Sequence, residues 1–167
     1  MKTLSFLAFD HGQRRIGVAS GNTRLMQGQP LKTLLRPRGT KPDEFDAIQA
    51  LIQEWQPDAL VVGVPFHPDG AAHDNTRHAR RFARQLQGRF RLPVHEVDER
   101  YTTTEVLSAG ADPRDADAAA AALILEQHLR ALQQAGSAAR QRPGEPGDPG
   151  DSAKPAQHAA CDTVASN

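Results

Sequence analysis

Acidic side chains recur at three places where a folded sheet could gather them. Asp10 stands in "LAFDHGQRRIGVA", Asp98 and Glu99 in "EVDERYTTTE", and Asp117 in "DADAAAAALIL". Asp10 closes an apolar run and is followed at once by Gly12, Arg14 and Arg15. A lone acid in that position is either a turn residue chosen for backbone geometry or a carboxylate presented at a strand end. Carboxylates converging from separate elements repel each other unless a cation sits among them. Hard oxygen ligands with room for water suit Mg²⁺ or Mn²⁺. Taken singly each acid is weak evidence: Asp117 also fits a helix N-cap, a role for which Asp115 competes.

Basic residues are unevenly spread although the formal net charge of the 167-residue chain is +0. Residues 1–42 hold eight Lys or Arg and one acid, Asp10. Residues 75–95 carry Arg77, Arg80, Arg81, Arg84, Arg89 and Arg91 with no acid. Residues 96–126 reverse the balance, with eight acids against Arg100 and Arg114. Two basic segments could contact a phosphate backbone, although any one of them also reads as a solvated helix face.

The elements that must position these residues follow from hydrophobic patterning. Leu4–Phe9 and Arg15–Ser20 read as strands around the turn "DHGQR", and a third strand falls within Leu25–Leu35, bent at Pro30. "TKPDEFDAIQALIQEWQ" has Phe45, Ile48, Leu51, Ile52 and Trp55 at helical spacing, with Thr40 or Asp43 as cap and Pro57 as stop. "ALVVGVPF" is continuously apolar, as a strand covered on both faces would be. A helix near Asn75–Gln87 buries Ala79, Phe82, Ala83 and Leu86 and turns its arginines outward. "PVHEVDE" is a fifth strand, a helix starts near Thr103, and "ADAAAAALILEQHLRALQ" makes a last helix. The order predicts an α/β fold, a five-stranded mixed sheet flanked by helices. Sites in such sheets form at strand ends, where Asp10 and Glu99 fall.

From Ala135 onward Gly, Pro, Ala and small polar residues dominate, with too little apolar surface to offset the entropy of ordering. The folded domain is expected over 1–134, with 135–167 a disordered tail. The single cysteine, Cys161, lies in that tail and forms no internal disulfide, as suits a reducing compartment. The apolar run before Asp10 is short for a signal peptide, and no segment has the length of a membrane span, so a cytoplasmic location without membrane contact is expected.

"FDHGQRRIGVA", "VVGVPFHPDG", the "RRFARQL" helix, "DERYTT" and "DADAAAAALILEQHL" occur in the order and spacing of the YqgF (RuvX) family, and the resemblance spans residues 4–132. It implies an RNase H-like fold, a cytoplasmic metal-dependent nuclease, and a role in ribosome biogenesis on pre-16S rRNA. Carried over motif by motif, Asp10, Glu99 and Asp117 are the acidic, metal-binding and catalytic residues. RuvC-type resolvases, more distant relatives, carry an acid on the fourth strand where this chain has Gly63. An acid on the next strand starts ~10 Å from Asp10, a gap that Glu spans better than Asp. Alternation sends Asp98 and Glu99 to opposite sides, and Glu99 is chosen for its reach. Family members usually have a longer segment before the last helix than the "SAGADPRDA" found here.

Metal ions held by the acids would activate water and stabilise the leaving oxygen of a phosphodiester. Arg15, Arg100 and the face formed by Arg77, Arg80, Arg81 and Arg84 would hold neighbouring phosphates. Arg15 also reads as a solvated hairpin residue, and Arg100 as a partner of Asp98. Gly12 and Gly17 serve either tight packing or close approach of substrate, and His11 reads as a turn residue. The expected substrate is pre-rRNA, within ribosomal assembly intermediates. Branched DNA is the alternative, for which symmetric cutting needs a homodimer rather than a monomer. A catalytically silent RNA-binding module is a third reading. An actin-like ATPase or sugar kinase, whose first phosphate loop resembles "DHGQRRIG", needs a second similar domain for which ~134 residues leave no room.

Overall fold

The first three strands build an antiparallel meander: β1 Ser5–His11, β2 Arg15–Asn22 and β3 Gly28–Leu35. The computed structural model describes residues 2–36, 43–99 and 113–140. Asp10 stands opposite Gly17 in the β1–β2 register. The β2–β3 ladder slips between Val18 and Ala19, which face Lys32 and Pro30, so Leu31 is the extra residue of a bulge. Proline lacks the amide a regular ladder needs, and the slip accommodates it.

Helix α1, Glu44–Trp55, starts on Asp43, whose carboxylate accepts from the Phe45 and Asp46 amides while the Asp46 side chain accepts from the Asp43 amide. That capping box assigns the cap to Asp43; Thr40 lies outside the described residues. Phe45, Ile48 and Leu51 are buried. Trp55 is not a core residue despite its helical spacing, being 42% exposed. It sits in the last turn, on a groove lined also by Phe6, Leu25, Pro30 and Pro57.

Strand β4, Ala59–Val64, runs parallel to β1 with all six residues buried. Helix α2, Asp74–Phe90, buries Ala79, Phe82, Ala83 and Leu86 as its periodicity requires. Strand β5, Val94–Asp98, pairs parallel with β4. The sheet order is β3-β2-β1-β4-β5, the mixed five-stranded arrangement expected. The helix expected near Thr103 lies outside the described residues.

Helix α3, Pro113–Arg140, crosses the other face of the sheet from α1 and α2. One core joins Leu7, Phe9, Ile16 and Val62 to Phe45, Ile48, Phe82 and Leu86 of α1 and α2. A second joins Phe6, Ala8 and Val61 to Ile124, Leu125 and Leu129 of α3. Each large side chain so buried contributes about 1.5–3 kcal/mol. Close seating of α3 depends on small residues: Ala121 and Ala122 meet Ala19. Opposite them the sheet is bare. A Cβ on Gly17 would fall 1.9 Å from the Asp117 carbonyl oxygen, and one on Gly28 would fall 2.3 Å from that of Ala122. Gly17 therefore serves packing. The helix continues through Arg140, and residues 130–139 are exposed. Among the described residues no helix is long and apolar enough to cross a membrane.

Candidate active site

Side-chain alternation decides which acids can meet. On β1, Phe6 and Ala8 face α3, and Asp10 continues that phase. On β5, Val97 packs into the α3 core and the His95 ring stacks on His128 of α3 at 4.7 Å. Glu99, one residue past β5, keeps this phase and hydrogen-bonds Asp10. Glu96 has the opposite phase and meets Arg80 of α2 at 3.7 Å.

Strand β4 lies between the two acids, and its glycine makes their meeting sterically allowed. A Cβ on Gly63 would stand 2.3 Å from Glu99 Oε1 and 2.4 Å from Ile124 Cδ1. The glutamate side chain thus reaches across space that any other residue at position 63 would fill.

Burial sets the charge of the pair. Desolvation pushes Glu99 up to about 8, and the neighbouring Asp10 charge and hydrogen bond push the same way. Asp10 is pushed up to about 6, chiefly by desolvation; the bond from Glu99 opposes this and the Asp117 charge adds to it. Both acids are thus held above the ordinary carboxylate range by burial and by the charge of a neighbouring acid.

Asp117 lies in the second turn of α3, which begins at Pro113, so it is no N-cap. Arg15 holds it, with Nε 2.9 Å from Oδ2. That contact is ionic rather than a directed hydrogen bond, because Oδ2 is buried without a hydrogen-bond partner. Glu99 Oε1 is buried and unpartnered in the same way. Among the described residues no three His, Cys, Asp or Glu side chains stand close enough to hold an ion. The structure thus brings Asp10 and Glu99 together, with Asp117 near enough to act on Asp10 but turned to Arg15, short of the three-acid cluster expected. Two adjacent carboxylates, with Glu99 Oε1 buried and without a hydrogen-bond partner, are oxygen donors of the kind a hard divalent cation takes.

The α2 arginines occupy the opposite face of the sheet. Arg77 pairs with Asp74 at 3.3 Å, and Arg80 lies over the Phe66 ring at 5.1 Å. Arg81 and Arg84 are exposed. Arg100 lies outside the described residues. His11 is the last residue of β1 rather than a turn residue, with its ring 4.5 Å from that of Phe82. Its burial, together with the Arg36 charge, pushes its pKa down to about 4. Gly63 escaped the sequence reading as a contributor; only its lack of an acid was legible.

A profile of the RuvX family, described as Holliday junction resolvase, matches residues 4–131. The chain belongs to that family. Relatives within it include proteins named "Putative pre-16S rRNA nuclease" from Albidiferax ferrireducens and Paraburkholderia phytofirmans. The first is 62% identical over 128 residues, covering 77% of this chain and 79% of that protein. The second is 49% identical over 132 residues, covering 77% and 89%. Thermus thermophilus RuvC superposes with a TM-score of 0.52 at 12% identity, over 78% of this chain and 97% of that one. A T. thermophilus RuvC bound to a Holliday junction substrate gives 0.51 at 13% identity, with 78% and 96% coverage. The fold of this RuvX chain is accordingly RNase H-like, like that of RuvC.

Proposed function

We propose that the chain is a divalent-cation-dependent endonuclease that processes the 5′ end of pre-16S rRNA in the cytoplasm, within ribosomal assembly intermediates. One observation carries the reading: Asp10 and Glu99, from strands that are not neighbours, share a hydrogen bond beside Asp117 on the α3 face. The names carried by relatives up to 62% identical support the substrate. Asp10, Glu99 and Asp117 would hold Mg²⁺ or Mn²⁺. When bound, the cation supplies an activated water and charge stabilisation at the leaving oxygen of the phosphodiester.

The chain's own groups supply the rest. Asp10 and Glu99 would hold the cation as ionised carboxylates, so its affinity would rise with pH. Arg15 balances Asp117 and stands ready to meet an incoming phosphate. Arg77, Arg80, Arg81 and Arg84 hold the nucleic-acid backbone where it passes over the strand ends, and Arg100 adjoins Glu99 in sequence. The nuclease domain spans residues 1–134, with α3 running on to Arg140 and a Gly- and Pro-rich tail after it. The protein acts as a monomer or homodimer without membrane contact.

Description of the family as Holliday junction resolvase favours a second reading, the same chemistry on branched DNA. The deciding experiment incubates the protein with a pre-16S rRNA fragment and a four-way DNA junction in parallel, with Mg²⁺, Mn²⁺ or EDTA. Cation-dependent cutting of the RNA is expected. Cutting of the junction alone selects the resolvase. RNA binding that survives in Asp10→Asn, with no cutting by the wild type, selects a non-catalytic assembly factor.

A further inference from the structure

We propose that the cavity on the α1–α2 face of the sheet receives one splayed-out nucleotide of the RNA strand whose neighbouring phosphate lies at the Asp10–Glu99 pair. The inference rests on the nuclease reading and adds a subsite to it. The cavity measures about 440 Å³ and is lined by His11, Gln13, Arg36, His78, Arg81 and Gln85. That volume falls within the range of small-ligand sites, about 300–1,000 Å³.

Its position follows from the strand that carries the catalytic acid. His11 succeeds Asp10 at the end of β1, and alternation sends the two to opposite faces. The cavity and the carboxylate pair therefore open on either side of one strand terminus. A strand of RNA bound at Asp10 reaches the cavity by turning over the end of β1.

The lining has the three chemistries that a nucleotide presents. Aromatic surface comes from the His11 ring, backed by Phe82 at 4.5 Å; Phe45 also lines the cavity but is buried, with Arg89 over its ring at 4.1 Å. Gln13 and Gln85 each offer a side-chain donor and acceptor for a base edge. Arg81 supplies a cationic guanidinium for a phosphate, and His78, one helical turn before it on α2, adds a ring N–H. Arg36 is committed elsewhere. It pairs with Glu44 at 3.1 Å and donates to the Gly12 carbonyl at 3.1 Å, so it fixes the wall and neutralises the one acid lining the cavity. Unstacked bases held on flat side chains and read at their edges are the usual mode of single-stranded RNA recognition.

Two measurements on the full chain test this. In the first, adenosine 5′-monophosphate, uridine 5′-monophosphate and inorganic phosphate are titrated into ¹⁵N-labelled protein. Saturable amide shifts at Gln13, His78, Arg81 and Gln85 are expected from the nucleotides, with weaker shifts near His78 and Arg81 from phosphate. Shifts confined to the surroundings of Asp10 and Glu99 overturn the proposal. In the second, Gln85→Trp, which fills the cavity, and the milder Gln85→Ala and His78→Ala are assayed for RNA cleavage, with folding checked by circular dichroism. KM should rise about tenfold, as loss of a charged or paired hydrogen bond gives, with kcat within about twofold of wild type. Unchanged KM in all three variants overturns the substrate role, and nucleotide shifts would then report a site for free nucleotide. Asp10→Asn is run alongside: undiminished cleavage there refutes the nuclease reading, while the titration still decides the cavity.

Discussion

The side chain of Glu99 lies across the bare backbone of Gly63, 2.3 Å from where a Cβ on that glycine would stand. Gly63→Ala must therefore displace the carboxylate or Ile124, whose Cδ1 is 2.4 Å from the same point. Overpacking of this kind costs about 1–3 kcal/mol, which a lowered melting temperature would record. Cation-dependent cleavage should fall about 100-fold, since a misplacement of ångström size at a reacting centre has that effect. Wild-type cleavage by a folded Gly63→Ala protein would show that Glu99 needs no clear path over β4.

Removing the charge of Asp10 should separate binding from cutting. Asp10→Asn keeps size and hydrogen bonding, so the fold should persist, and the cation-free protein should melt no lower than wild type because a repulsion is relieved. Cleavage should drop by orders of magnitude while RNA affinity largely survives on the arginines. Glu99→Gln should behave likewise, and Asp98→Asn should cut. A dead Asp98→Asn beside an active Glu99→Gln would transfer the role to the other acid of "DER".

The raised pKa values of Asp10 and Glu99 predict a pH dependence. Glu99 sits at about 8 and Asp10 at about 6 in the folded chain, above the ordinary values of 4.5 and 3.8. Between those values and about pH 8 the folded state binds more protons than the unfolded state, so stability falls as pH rises through that window. Without divalent cation the melting temperature should decline from about pH 5 to about pH 8, and Glu99→Gln should flatten the decline. Cation affinity should rise over the same interval, because binding displaces the proton. Calorimetry at stepped pH, with and without Mn²⁺, checks both slopes.

Reversal of Arg80 and Arg84 to Glu should weaken RNA binding and reduce its dependence on salt concentration, with the fold retained. Affinities measured at several ionic strengths that match wild type would return these residues to the role of a solvated helix face.

Truncation after Gln134 should leave melting temperature and cleavage unchanged. It removes the end of α3, whose residues 130–139 are exposed, together with the Gly- and Pro-rich tail. A large loss of either property would place the domain boundary further along the chain.

Period and alternation made most of this architecture legible in the sequence. The α2 core positions Ala79, Phe82, Ala83 and Leu86 are buried as their spacing requires. The preference for Glu99 over Asp98 came from the reach of the longer side chain, alternation only separating the two, and in the fold alternation puts Glu99 on the α3 face with Asp10. Trp55 shows where periodicity fails: it has the right helical phase, but its turn lies at the helix end, over a groove rather than over the core. The Arg15–Asp117 pair was illegible because its partners are far apart in the chain and meet only through the crossing of α3 over β2. Gly63 was illegible for a related reason. Its importance lies in a side chain that approaches from another strand, and nothing local marks such a position.

The seating of α3 on Gly17 and Gly28 has a consequence for when the molecule becomes dangerous to RNA. Asp117 joins the site only once that helix has settled on a sheet completed by residues far earlier in the chain. Contacts of such wide sequence separation cost loop-closure entropy before they stabilise the fold, and so form slowly. On the nuclease reading, a nascent or partly unfolded copy carries its arginines before its full set of carboxylates. It grips nucleic acid without breaking it, and hydrolysis begins only with the finished protein.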